Sequence, residues 1–213
     1  MAKDGLISGM VVGRGLRGAR STGDMRGSGI GIGGLVDLRI DTTRIAKLGD
    51  ILVIVGKNEP VAAARALNRT AGETKTALTA ALASQTGLGA RNVGKALFIS
   101  RASAGALSAA IVARGGFMPL KEFDARQTRN GVSAAPWGKR RVFRHTFIPK
   151  KGGLGGNVYV RKGKARFPLH KLFGPAIPRE LPKDQSRTTF YRVVPVVLAK
   201  RLAHELGRLL GGA

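Results

Sequence analysis

The longest stretch of the chain with one clear period is Pro60 to Ser84, PVAAARALNRTAGETKTALTAALAS. Leu67, Ala71, Leu78 and Leu82 recur at spacings of four, seven and four, which sets them on one stripe of a 3.6-residue period. Pro60 suits a first helical turn, where the amide it lacks would be unpaired anyway. Asn58 stands at the cap position and Gly87 at the stop. Gly72 in the middle costs about 1 kcal/mol relative to alanine. Packing on the apolar stripe therefore has to hold this helix, and the partner expected for it is a sheet.

The rest of the chain supplies strands. Val36 to Ile40 alternates apolar and charged residues with period two. Arg44 to Val55 is mostly apolar and reads as helix or strand. Gly87 to Ala96 reads as a turn and a short helix. Leu97–Ala102 and Leu107–Arg114 read as a hairpin around Ser103-Ala-Gly105, and Glu122–Thr128, Val142–Ile148 and Asn157–Arg161 as further strands. Lys150 to Asn157, KKGGLGGN, reads as a mobile loop. Gly174 to Leu181 reads as an extended linker, because residues before proline avoid the helical region. A second helix is expected from Pro195 to Leu210, with Leu198, Leu202, Leu206 and Leu209 on one face and Lys200, Arg201, Glu205 and Arg208 largely off it. This order gives an α+β fold, an antiparallel sheet packed against one long amphipathic helix and a C-terminal helix.

Residues 1–34 differ in kind. They are glycine-rich, carry scattered arginines and lack periodicity, so a flexible N-terminal arm is expected ahead of a single α+β domain over 35–213. Gly29-Ile-Gly31-Ile-Gly33-Gly34 formally satisfies G-x-G-x-x-G, but glycine-arginine coil precedes it and a strand follows, the reverse of a dinucleotide site. Gly5 to Gly13 is uncharged yet broken by glycine and preceded by Asp4, which argues against a signal peptide. The longest apolar run, Val193 to Ala199, is far short of the roughly 20 residues of a membrane span.

Charge narrows the function. The 213 residues hold 37 Lys+Arg against 12 Asp+Glu, a net +25, with no cysteine. Such a field attracts polyanions. Thiolate metal sites and disulfides are excluded, and no P-loop or G-x-S-x-G sequence occurs. His145, His170 and His204 lie far apart, and Glu122 with Asp124 is too small a carboxylate set for a metal nuclease. No catalytic, cofactor or metal residue is assigned. Asn68-Arg-Thr70 matches a glycosylation acceptor but falls within the helix and is set aside.

Between Asp124 and Glu180 no acidic residue occurs, while fourteen lysines and arginines do. Arg140, Arg141, Arg144, Lys150, Lys151, Arg161, Lys162, Lys164 and Arg166 are the candidates to contact nucleic acid or an acidic partner across one positive face. Two tyrosines and one tryptophan give little material for base stacking, and no recognition helix or zinc finger is present, so contact with DNA is expected at its backbone.

Several short motifs, in order, carry a resemblance. Ala64-Arg-Ala-Leu-Asn-Arg-Thr-Ala71, Pro119-Leu120 followed by Phe123-Asp-Ala-Arg126, Gly131-Val-Ser133, and Gly174-Pro-Ala-Ile-Pro178 before the last helix resemble the minor tail protein Z family of lambda-like tailed phages, over Val36 to Leu210. The resemblance implies a structural virion protein of the neck or tail that completes the tail and joins it to the head. It further implies a ring of its own copies, commonly six, between tail-terminator and head-connector proteins around the channel for genomic DNA. The basic face would line that channel or meet acidic neighbours, and the arm would reach a neighbouring subunit or ring. Composition alone equally supports a basic, non-sequence-specific nucleic-acid-binding protein of ribosomal or nucleoid type.

Overall fold

The computed structural model describes residues 36–40, 50–149 other than 52, 56 and 58, 154–209, and 211. The arm 1–34, Asn58, Lys150 and Lys151 lie outside them. Strand β1 (Val36–Ile40) comes first, and of the ambiguous segment Arg44–Val55 the described residues 50, 51 and 53–55 are helical, while 44–49 lie outside the described residues.

Helix α1 (Pro60–Thr86) begins with Pro60 in its first turn and ends at Gly87 in the left-handed conformation, φ 76°. Glu59 takes the cap position with no capping side-chain bond among the described residues. At about 1.5 Å per residue the helix is about 40 Å long. Leu67, Ala71, Leu78 and Leu82 are fully buried, as are Ala63, Ala66, Thr70 and Thr74. Each fully buried leucine contributes about 2 kcal/mol. After α2 (Ala90–Ala96), β2 (Leu97–Ser100) and β3 (Ala109–Ala113) form the expected antiparallel hairpin, with Ser103 and Ala106 bridged at its tip. β1 pairs with the other edge of β3, giving the order β1-β3-β2. Every side chain of β3 is buried, which is why AAIVA carries no polar alternation. Asn68 fastens α1 to this hairpin: its Nδ2 donates to Ala102 O at 2.9 Å and its Oδ1 accepts from Ala102 N at 2.8 Å. That half-buried structural role accounts for Asn68 without any reading of it as a glycosylation acceptor.

The second half is a chain of small antiparallel sheets. β4 (Phe117–Pro119) pairs with β11 (Phe173–Ala176); β5 (Arg126–Thr128), β6 (Gly131–Ala134) and β7 (Arg141–Arg144) form one three-stranded sheet; β8 (Thr146–Phe147), β9 (Tyr159–Arg161) and β10 (Leu169–Lys171) form another. The strand expected over Glu122–Thr128 is confined to Arg126–Thr128, because Leu120–Glu122 is a 3-10 turn and Asp124 has a φ of 51°, so Glu122 and Asp124 do not lie on one strand. Val142 to Ile148 is two strands, broken at His145, whose φ is 58°.

Two expectations near the C-terminus are corrected. Gly174 to Leu181 is not an extended linker: β11 runs into a short helix, α3 (Ile177–Glu180), that accepts Pro178 in its first turn. The last helix, α4 (Asp184–Leu209), begins eleven residues before Pro195 and carries that proline inside it. Its buried stripe is Ser186, Phe190, Val194, Leu198, Leu202 and Glu205, so the carboxylate lies on the stripe and Leu209 lies exposed off it. A proline there forfeits one backbone bond; buried side chains on both sides carry the helix through.

α1 and α4 pack antiparallel along their length. Contacts pair Arg65 with Glu205, Glu73 with Arg201, and Gln85 with Ser186. Phe190, Val194, Leu198 and Leu202 join the α1 leucines in one core, which continues through Leu97, Ile111, Leu120, Phe123 and Val132. The result is α+β, with the sheets disposed around the helix pair.

Candidate nucleic-acid interface

The basic candidates sort into three environments. Arg140 is committed internally. It is ion-paired to Asp124, with Nη1 reaching Asp124 O and Ser133 Oγ at 3.3 Å each. Arg126 Nε donates to Asp124 Oδ1 at 3.2 Å. The Arg126 hydrogen bond foremost, then the charge of Arg126 and the hydrogen bond and charge of Arg140, hold the Asp124 carboxyl below its ordinary value against an opposing desolvation. One carboxylate thus answers two guanidinium groups.

Arg141 and Arg144 lie on β7, an edge strand, and point to opposite faces by the alternation of a strand. The Arg141 guanidinium sits 5.0 Å from the centre of the Phe143 ring and 5.8 Å from that of Trp137. Stacking of this kind holds the side chain extended while its N–H edges stay available. Arg144 instead lines an open notch of ≈ 550 Å³ with Gln127, Arg129, Asn130, Gly131, His145 and Thr146.

Arg161, Lys162, Lys164 and Arg166 share one hairpin. Arg161 ends β9, packed at 5.0 Å on the Phe147 ring, and residues 162–168, each exposed, form its connection to β10. Phe167 at its end is 63% exposed, with Arg166 over its ring at 5.6 Å. The expected single face is therefore a notch, a stacked arginine and a protruding loop. Pairing of Thr146 with Val160 brings the β7–β8 corner alongside the end of β9, so the loop springs from beside the notch.

Asn130 and His145 are additions that sequence reasoning did not single out as contacts, while Arg129 is one of the fourteen cations of the acid-free interval. Arg129-Asn130 is the two-residue turn between β5 and β6, where Thr128 pairs with Gly131. Gly131 has a φ of 140°, and a Cβ there would lie 2.0 Å from Phe143 O, so only glycine lets β6 approach β7 this closely. The turn dipeptide before that glycine was the available signal. Among the described residues no group of three or more His, Cys, Asp or Glu side chains could hold a metal, and no helix is long and apolar enough to cross a membrane.

Of the motif residues, Ala64, Ala66, Leu67, Thr70, Ala71, Leu120, Phe123, Val132 and Ile177 are buried, and Gly174 lies against the Phe123 ring. They mark a fold, and that fold has a family. Residues 52–211 match the family described as prophage minor tail protein Z (GPZ). The chain belongs to that family. No curated protein and no solved structure matches it. As a minor tail protein Z family member it is a structural protein of a phage tail, and its place is the virion.

Proposed function

We propose that this minor tail protein completes the tail and joins it to the head, as a closed ring of its own copies, six in our reading, around the DNA channel. Its neighbours in this reading are the tail-terminator and head-connector proteins. A closed ring needs two different surfaces on each subunit. The α1–α4 pair and the strand half are the two such surfaces this fold offers.

The observation that carries the reading is the acid-free segment 125–179, whose described cations, Lys171 apart, are exposed, on strands, turns, a hairpin and, for Arg179, helix α3. A surface of this kind suits contact with phosphates or with acidic faces of neighbouring rings. Deleting the gene from an inducible prophage tests it. Heads and tails should accumulate unjoined, and supplying the protein in trans should restore joined, infectious particles. Normal joined particles without the protein would overturn the proposal.

A further inference from the structure

The notch between the Arg129-Asn130 turn and the Arg144-His145 corner has the make-up of a phosphate seat. Its rim carries two guanidinium groups, a carboxamide and an imidazole, all exposed, and no carboxylate lines it. Among the described residues Arg129 and Arg144 have no ion-pair partner, whereas Arg126 and Arg140, close by in sequence, are both answered by Asp124. The walls are already satisfied. Gln127 Nε2 donates to Thr128 O at 3.0 Å and to Gly131 O at 3.2 Å, while its Oε1 accepts from Ile148 N at 2.9 Å. Thr146 Oγ1 donates to Phe143 O at 2.6 Å and accepts from Val132 N at 3.0 Å. The groups left with unused donors are those that face outward.

The backbone holds these donors in place at some expense. His145 adopts the left-handed region without being glycine, and Gly131 sits where no side chain fits. A non-glycine residue such as His145 persists in that region only where the surroundings enforce it.

We propose that this notch seats a backbone phosphate of duplex nucleic acid, with Arg129 and Arg144 as the two clamping groups and the 162–168 loop following the same strand. The proposal rests on the reading that DNA passes this protein, and it names the residues that touch it. The lining favours a nucleic acid over an acidic protein. Arg meets carboxylate and phosphate alike through two parallel N–H bonds, but a protein partner would also need apolar or aromatic anchors, and no apolar or aromatic side chain apart from the His145 imidazole lines this notch. Nothing in the notch reads a base edge, so binding is independent of sequence.

The test uses the full-length protein and a fluorescent random-sequence duplex, with binding followed by anisotropy from 50 to 300 mM salt. The Arg129→Gln/Arg144→Gln variant is compared with Arg187→Gln/Arg192→Gln, which removes the same charge from α4. At about 0.9 per phosphate on B-DNA, loss of the one seated phosphate in the notch variant should reduce the magnitude of the slope of log K against log salt by about 0.9, and the α4 variant should leave it near the wild-type value. Arg144→Lys, which keeps charge but loses the two-pronged contact, should fall between. Equal slopes for the two double variants would overturn the seat. So would a notch variant that weakens binding of poly-glutamate while duplex binding is unchanged, since that marks an acidic protein as the occupant. A wild-type protein that ignores duplex even at 50 mM salt overturns the seat as well, while leaving the joining role to be judged from particles. Conversely, unjoined heads and tails failing to appear on gene deletion would refute the joining role without touching the measured slopes.

Discussion

Arg65→Met isolates how the two long helices are held. Glu205 is 1% exposed on the buried stripe of α4. Arg65 Nη1 stands 3.6 Å from its Oε2, and His204 Nδ1 is 4.0 Å from its Oε1, beyond hydrogen-bond range. Among the described residues Oε1 accepts no hydrogen bond. Losing one partner of a buried pair costs about 3–5 kcal/mol, because the other charge is stranded away from water. The Arg65 side chain is 43% exposed, so solvent screens part of the interaction. About 2 kcal/mol is the expected loss for Arg65→Met, which keeps the aliphatic volume. Glu205→Leu behaves differently. It deletes the stranded charge and returns Arg65 to water, so stability should change by less than about 1 kcal/mol in either direction. The double variant should match Glu205→Leu alone. In a chain of this size about 1 kcal/mol moves the midpoint by about 2–4 °C, so Arg65→Met should melt about 4–8 °C lower and Glu205→Leu near the wild type. Urea unfolding followed by circular dichroism gives the free energies, and calorimetry the midpoints. Arg65→Met indistinguishable from wild type, with Glu205→Leu the damaging change, would refute the reasoning.

Three further outcomes are expected. Asp124 has its folded pKa lowered, so the stability it contributes is present above the unfolded carboxylate pKa and is lost as pH falls through the folded one; Asp124→Asn should flatten the acid limb of the stability profile, and the Asp124 carboxyl should titrate below its ordinary value by NMR. Asn68→Leu leaves both backbone groups of Ala102 unpaired and should cost about 2–4 kcal/mol, with faster amide exchange at Ala102. Gly87→Ala places a Cβ 2.5 Å from Ala135 O at a φ of 76°, and should cost more than the about 1 kcal/mol of the left-handed conformation alone; a midpoint within about 2 °C of wild type would contradict it.

The fold was legible where one period dominated. The α1 stripe, the β2–β3 hairpin and the Gly87 stop all follow from local pattern and are present. Proline caused the main errors. Pro195 reads as a helix start because a free helix would begin there, yet tertiary burial of Phe190 and Val194 extends the helix through it. Pro175 and Pro178 read as linker because the sequence does not reveal that Phe117–Pro119 waits to pair with Phe173–Ala176. The candidate interface was legible as composition and not as geometry. Lack of acid after Asp124 showed a positive surface, but only the register shows that Asp124 claims Arg126 and Arg140 while Arg129 and Arg144 converge on one notch. The resemblance motifs lie chiefly in the core, which is why they identify the family and leave the contact residues to be found from structure.

The central claim is that this chain closes a ring where the tail meets the head. Imaging purified particles at side-chain resolution tests it most directly. A symmetric ring of this fold is expected at that junction, with the 162–168 loop and the Arg129–Arg144 notch facing the channel. Particles with joined tails and no density for the chain at the junction would contradict it.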